Sequence, residues 1–334
     1  MSRFRIRHAV ALAIALLALA VPAALAAFVA TISHSGNSFQ AAPIFPGAIK
    51  MATGSYAGNG VDGRAIGVGF QPDVVIVKSA AAREAVARTS TMSGDASKPF
   101  ATAVAFQANY IQSLTATGFT VGTNSRVNAA TDTYHWVAFK ANAQAMRVGN
   151  YSGNGTSQSF TGFGFSPELV IAFGNNAQRP VLRANGMSRT YRFDAGTGSA
   201  TGVTAFGADG FTVGNSAEVN SNGVAYHYVA FNDVANSIDI GSYAGNNTDD
   251  RNITTPAFQP AYVLIRADDT ATARPAGAKP SSLAGDNTLG FLAAAAVSNR
   301  IQALQSNGFQ LGTGTEVNAN TVNYHYLAVR SSAP

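Results

Sequence analysis

One ordered set of short motifs occurs three times along this 334-residue chain, and that repetition limits the possible folds more than any other feature. The first copy opens with GSYAGNG at Gly54–Gly60, the second with GNYSGNG at Gly149–Gly155, and the third with GSYAGNN at Gly241–Asn247. The tyrosines Tyr56, Tyr151 and Tyr243 are 95 and 92 residues apart. A Phe-x-Pro step follows, at Phe70, Phe165 and Phe258, and leads into an apolar run beginning at Val74, Leu169 or Tyr262. Gly-Phe-x-Val/Leu-Gly then recurs at Gly118, Gly210 and Gly308, and Val-Asn at Val127, Val219 and Val317. Each copy closes on an aromatic strand pattern: YHWVAF at Tyr134, YHYVAF at Tyr226 and YHYLAV at Tyr324.

These landmarks have the character of strands and turns. The runs after proline are short, β-branched and apolar on both faces, as a buried central strand requires. Proline fits just before such a strand, where no ladder donor is needed. Asn59-Gly60 and Asn154-Gly155 are hairpin-turn dipeptides that supply positive φ at low cost, and Asn246-Asn247 replaces them in the third copy. The stretches from Ala101 to Leu114 and Phe291 to Leu304 have a helical alternative, but the glycines of copy two argue for strand. The expected fold class is all-β: three tandem antiparallel β-sandwich modules after a signal peptide. The boundaries fall at 1–26 for the signal, 27–52 for an extended segment, then 53–145, 146–236 and 237–334 for the modules. Short linkers favour a semi-rigid rod or a compact trio over flexible beads.

Arg3, Arg5 and Arg7 precede an uncharged run from Ala9 to Val21, and Ala24-Leu25-Ala26 forms a small-x-small cleavage site. This is the layout of a secretory signal peptide cut after Ala26. An uncleaved anchor is the competing reading, since the apolar run approaches the roughly 20 residues that span a bilayer. Without those three arginines the 22 basic residues become 19, against 17 acidic ones. A nearly neutral mature chain removes the compositional case for nucleic-acid binding. No later stretch is apolar enough to span a membrane. Cysteine is absent, so an oxidising compartment would add no disulfides.

Three sets of residues invite a binding role. His135, His227 and His325 hold the same place in every copy, beside Trp136, Tyr228 and Tyr326. Strand alternation puts His135 on one face with Val137 and Phe139, with Tyr134, Trp136 and Ala138 on the other. No acidic residue recurs beside the histidines to orient them, so packing or hydrogen bonding is favoured over metal binding or catalysis. Basic pairs recur after the central strand: Arg83 and Arg88, Arg179 and Arg183, Arg274 and Lys279. They read as cationic sites for an acidic polymer, or more simply as a charged loop or edge strand. Gly58-x-Gly60-x-x-Gly63 lacks the strand and helix that a dinucleotide fingerprint needs. Ser93, Ser188 and Ser282 lack a nucleophile-elbow context, and Asp249-Asp250 and Asp268-Asp269 lack calcium-loop spacing. No cofactor or metal is expected, and no enzyme.

The order of these motifs, over residues 54–330, resembles a module of phage tail-fibre-like and bacterial surface proteins. It also resembles the H-type lectins, six-stranded sandwiches that trimerise and bind N-acetylgalactosamine. Residues Ala26–Ile44 are similar to the mature N-terminus of camelysin- and TasA-type exported matrix proteins, although the acidic residue after their leading aromatic is missing. That likeness implies strand donation between subunits, through Phe28, Val29, Ile32 and Phe39; pairing within the first module is the alternative. The expectation is a non-enzymatic secreted or surface-displayed structural or adhesive repeat protein, a matrix or fibre component, self-associating through its N-terminal segment. The alternative is a multivalent carbohydrate-binding protein whose contacts to a glycan or surface polymer are Trp136, Tyr228 and Tyr326, the three histidines, Arg88, Arg183 and Lys279.

Overall fold

The computed structural model describes residues 49–272 and 274–332. The signal peptide, its cleavage site and the proposed donor residues Phe28, Val29, Ile32 and Phe39 lie outside the described residues.

Three similar β modules follow one another. Module 1 contains β1 (Lys50–Ala57), β2 (Arg64–Gly67), β3 (Val74–Ser79), β4 (Val86–Thr89), β5 (Lys98–Pro99), β6 (Ile111–Thr115), β7 (Gly118–Val121), the single turn α1 (Ser125–Asn128) and β8 (Thr133–Lys140). Module 2 repeats the order with β9 (Met146–Ser152), β10 (Gln158–Phe160), β11 (Leu169–Gly174), β12 (Val181–Ala184), β13 (Tyr191–Arg192), β14 (Val203–Gly207), β15 (Gly210–Val213), α2 (Ala217–Asn220) and β16 (Ala225–Phe231). Module 3 has β17 (Ile238–Ala244), β18 (Arg251–Ile253), β19 (Tyr262–Asp268), β20 (Gly277–Pro280), β21 (Leu289–Gly290), β22 (Ile301–Gln305), β23 (Gly308–Leu311), α3 (Thr315–Asn318) and β24 (Asn323–Val329).

Each module is a five-stranded antiparallel sheet backed by a three-stranded one. In module 1 the orders are β1-β8-β3-β4-β5 and β2-β7-β6, and the other modules copy them. The central strand β3 is buried along its whole length, which is why its sequence runs apolar without alternation. Val75 and Val77 face the three-stranded sheet and its Phe119 and Val121. Val74 and Ile76 face the other way, into a second core.

That second core is common to all three modules. It joins Val74, Ile76, Val137 and Phe139 to Leu169, Ile171, Val229 and Phe231, and to Tyr262, Leu264, Leu327 and Val329. At its centre Phe100, Phe193 and Phe291 contact one another with ring centroids 4.6 to 4.8 Å apart. The modules therefore form a compact trio around a pseudo-threefold axis. Its closure is completed where Ser332 N donates to Met51 O (3.2 Å) and Ile49 N to Ser237 Oγ (3.0 Å).

The repeated glycines and asparagines have local structural causes. Gly54, Gly149 and Gly241 lie opposite Trp136, Tyr228 and Tyr326 in the ladder, and a Cβ there would meet the ring at 2.4, 2.3 and 2.3 Å. The aromatic ring covers the bare backbone of its glycine partner. Asn128 accepts from Asn59 N (2.9 Å) and donates to Val61 O (2.8 Å) and Gly122 O (3.0 Å), tying three loops together. Asn220 and Asn318 make the corresponding bonds to Asn154 N (2.8 Å) and Asn246 N (3.0 Å).

Two expectations change. The Asn-Gly turns have the positive φ that the sequence implied, 70° at Gly60, 74° at Gly155 and 55° at Asn247. They are not hairpins, because β1 pairs with β8 and β2 with β7, so the turn carries the chain between sheets. The stretch Ala101–Leu114 is strand only from Ile111. Before that, Glu84 accepts from Ala101 N (2.7 Å), Thr102 N (2.7 Å) and Thr102 Oγ1 (2.5 Å), so these donors serve a carboxylate instead of a ladder.

Candidate functional site

The polar groups of greatest chemical interest converge on the seams between modules. The alternation that puts His135 on a face with Val137 aims it at the neighbouring module, and its Nδ1 lies 3.0 Å from Ser282 Oγ. His227 Nδ1 lies 2.7 Å from Thr91 Oγ1 of module 1. His325 packs over Gly186 of module 2, where a Cβ would stand 3.2 Å from its Cε1. All three imidazoles are buried, and burial lowers each pKa, His227 to about 4. Lys78 and Lys279 depress His135 further, while Asp268 partly offsets burial at His325. Neutral imidazoles at pH 7 suit a ring exchanging one hydrogen bond with a hydroxyl.

Each seam also holds a buried cation. Lys98 Nζ donates to Val104 O (2.6 Å) in its own module and to Gly174 O (2.8 Å) and Asn176 O (2.9 Å) in module 2. Arg266 of module 3 reaches Arg192 O (2.9 Å) and Gly196 O (2.9 Å) in module 2 and lies over the Tyr191 ring, 4.8 Å from its centroid. Lys78 Nζ donates to Ser79 O (2.6 Å) and Ala81 O (3.2 Å) and crosses to Ala294 O of module 3 (2.9 Å). Burial pulls Lys98 down to about 7, Lys78 to about 8 and Arg266 to about 10, and at Arg266 the nearby Tyr191, Asp194, Asp268 and Asp269 act in the opposite direction.

Comparison with known families follows this geometry. The family described as a domain of unknown function, DUF7483, matches residues 49–150 and 148–332. The chain belongs to this family. The first DUF7483 match covers module 1, and the second covers modules 2 and 3 together. No curated protein and no solved structure matches the chain. Nothing in these comparisons ties this DUF7483 protein to tail-fibre, H-type-lectin or camelysin/TasA-type proteins; what stands is the repeated β module.

Within the DUF7483 modules eight of the nine residues singled out for ligand contact are buried, and Arg183 is half-buried. Trp136 packs edge-on to Phe119 (6.0 Å), and Tyr228 stacks on Phe163 (5.5 Å). Tyr326 donates to Asp239 Oδ2 (2.5 Å). Of the cations after the central strand, Arg88 and Lys279 are buried and Arg183 is half-buried, while Arg83 and Arg179 stay partly exposed. Arg88 donates to Ala96 O, Met92 O and Gly94 O, Arg183 to Val203 O (2.6 Å) and Met187 O (3.1 Å), and Lys279 to Gly285 O (2.7 Å) and Asn287 O (2.7 Å). Arg88 and Lys279 thus brace the loop that follows their own strand, while Arg183 ties that loop to the start of β14. The preceding arginines pair with carboxylates of their own module: Arg83 with Asp132 (3.1 Å), Arg179 with Asp194 (2.5 Å) and Arg274 with Asp269 (2.9 Å).

The histidines serve three different seams, and among the described residues no group of three or more His, Asp or Glu side chains is arranged to hold a metal ion. No described helix is long and apolar enough to cross a membrane. The sequence reading missed Lys78, Lys98 and Arg266. Its available signal was a lysine or arginine inside an otherwise apolar run, VVIVK and YVLIR.

Proposed function

We propose that this chain is an exported, non-enzymatic structural or adhesive element, displayed at a surface or within a matrix. The observation that carries this reading is the use of the repeated groups. The side chains that recur in all three copies, namely the histidines, the paired tyrosines and Asn128, Asn220 and Asn318, hold strands, loops and modules to one another. Repetition of that kind supports rigidity. An acid–base pair aimed at a substrate would instead leave at least one repeated group facing a cleft. The leader supports export, and a cysteine-free fold with an extensive core suits a compartment where disulfides are otherwise common.

Electron microscopy and adhesion assays on the mature protein test the reading. Ordered assemblies or surface attachment that disappear when Phe28–Ala42 is deleted, with the trio still folded, are the expected result. A strictly monomeric, non-adherent protein, or one that degrades a polysaccharide, would overturn it. Specific binding on a glycan array would favour the carbohydrate-binding alternative, with contacts to be sought on the three outer sheets, since all of the nine residues above but the half-buried Arg183 are enclosed.

A further inference from the structure

Aligning the three copies on their landmarks places Lys78, Phe173 and Arg266 at one position, each opposite the closing-strand histidine. It places Lys98, Tyr191 and Leu289 at a second, the first residue of β5, β13 and β21. Every seam brings the first position of one module against the second position of its neighbour. Arg266 lies over Tyr191, Lys98 donates to the carbonyl beside Phe173, and Lys78 and Leu289 line one cavity. Each seam therefore contains one cation and one uncharged side chain, and the cation does not always come from the same side.

The acceptors explain why one is enough. The carbonyl after the first position receives the cation in all three seams: Ser79 O from Lys78, Gly174 O from Lys98, and Ala267 O from Arg266 (3.0 Å). A carbonyl in the loop after the short edge strand forms the opposite wall, at Val104, Gly196 or Ala294. Lys98 enters this cradle from the edge strand, while Lys78 and Arg266 enter it from the central strand. An empty cradle leaves buried carbonyls without a donor, and a doubly filled one sets two buried cations against each other, with carboxylates near only the Arg266 cradle, at Asp194, Asp268 and Asp269.

We propose that the single buried cation of each seam is a pairing code, which selects the neighbour of each module and keeps the trio within one chain. The opposite cyclic order would oppose Arg266 to Lys98 and leave Phe173 against Leu289, giving one cradle two cations and another none. Module 1 paired with module 1 of a second copy would oppose Lys78 to Lys98, and module 2 paired with itself would have no cation. Only module 3 against itself keeps one, and it sets Arg266 on Leu289 in place of the Tyr191 ring.

The test moves the cation across one seam in the full-length mature protein. Leu289→Lys puts a second amine opposite Lys78 and should lower Tm by about 10 °C, the scale of an unpaired buried charge. Light scattering should then show dimers or larger species formed by exchanged modules. The double variant Lys78→Leu with Leu289→Lys leaves one cation, entering from the edge strand as Lys98 does. It should regain at least half of the lost Tm and return to the size distribution of the parent protein measured alongside it. A double variant no more stable than Leu289→Lys alone, or a Leu289→Lys protein that melts like the parent, overturns the proposal.

Discussion

The three outer cores are near copies of one another, whereas the seams between the modules are not. Behind each five-stranded sheet the same side chains return: Phe119, Phe211 and Phe309; Val127, Val219 and Val317; Tyr134, Tyr226 and Tyr324. At the seams one position reads Lys78, Phe173, Arg266, a second Lys98, Tyr191, Leu289, and a third Thr91, Gly186, Ser282. A sandwich core is closed within its own module, so one packing solution serves three times. A seam is a contact between two different modules, and only the combination of side chains must fit. Phe100, Phe193 and Phe291, like the seam histidines, hold an inter-module position that stays constant, because on a pseudo-threefold axis each ring meets the other two.

The strongest way to break this comparison is at that axis. Phe193→Ala removes a ring that touches both of its counterparts and should cost about 3–5 kcal/mol. Because the core is shared, unfolding should remain a single transition, and amide exchange should accelerate in all three modules together. Phe119→Ala, in the outer core of module 1, provides the control. Accelerated exchange confined to module 2 in the Phe193 variant would mean that the modules are independent and the axis only a contact.

Acid sharpens the comparison, because the outer cores contain no histidine while each seam has one. The folded-state pKa of each seam histidine is lowered, so the unfolded chain takes up protons first as pH falls. For His227 the window runs from about 6.5 down to about 4: its contribution is complete above the window and lost on passing down through it. Chemical denaturation across this range should show a loss of about 3 kcal/mol attributable to His227. His227→Asn, which keeps a hydrogen-bonding group near Thr91 Oγ1, should flatten that part of the curve. An unchanged pH profile would show that folding does not shift the proton affinity of this ring.

The two regions also differ in how far the sequence revealed them. Copy number, the buried central strands at Val74, Leu169 and Tyr262, and the two faces around His135 all follow from local periodicity, and local periodicity governs the outer cores. The seams obey no such rule. A strand that is apolar on both faces shows that both are covered, but not that the second cover is another copy of the module. Arg88, Arg183 and Lys279 were misleading for a related reason: a cation in a strand looks solvated until loop carbonyls fold back over it. Lys78 and Lys98 are isolated charges in the sequence, and their role at the seam depends on carbonyls far along the chain, Ala294 for Lys78 and Gly174 and Asn176 for Lys98, added to local ones.

The smallest effect concerns one seam compared with the other two. Between modules 1 and 3 there is a cavity of about 20 Å³, lined by Lys78, His135, Leu289, Gly290 and Phe291 among others. The corresponding dipeptides elsewhere are Lys98-Pro99 and Tyr191-Arg192, both larger than Leu289-Gly290. Gly290 lies in β21 with no left-handed backbone angle, and a Cβ added there meets nothing within 4 Å. Gly149 has no such room, since its Cβ would stand 2.3 Å from Tyr228. Gly290→Ala should therefore stabilise the protein by about 0.4–1 kcal/mol, by restricting the unfolded chain. For a domain of this size that is a rise in Tm of about 1–3 °C, within reach of calorimetry. A fall in Tm would mean that the cavity is a working part of the seam, its space required by the motion of Lys78 or His135, and the asymmetry among the seams would then be functional.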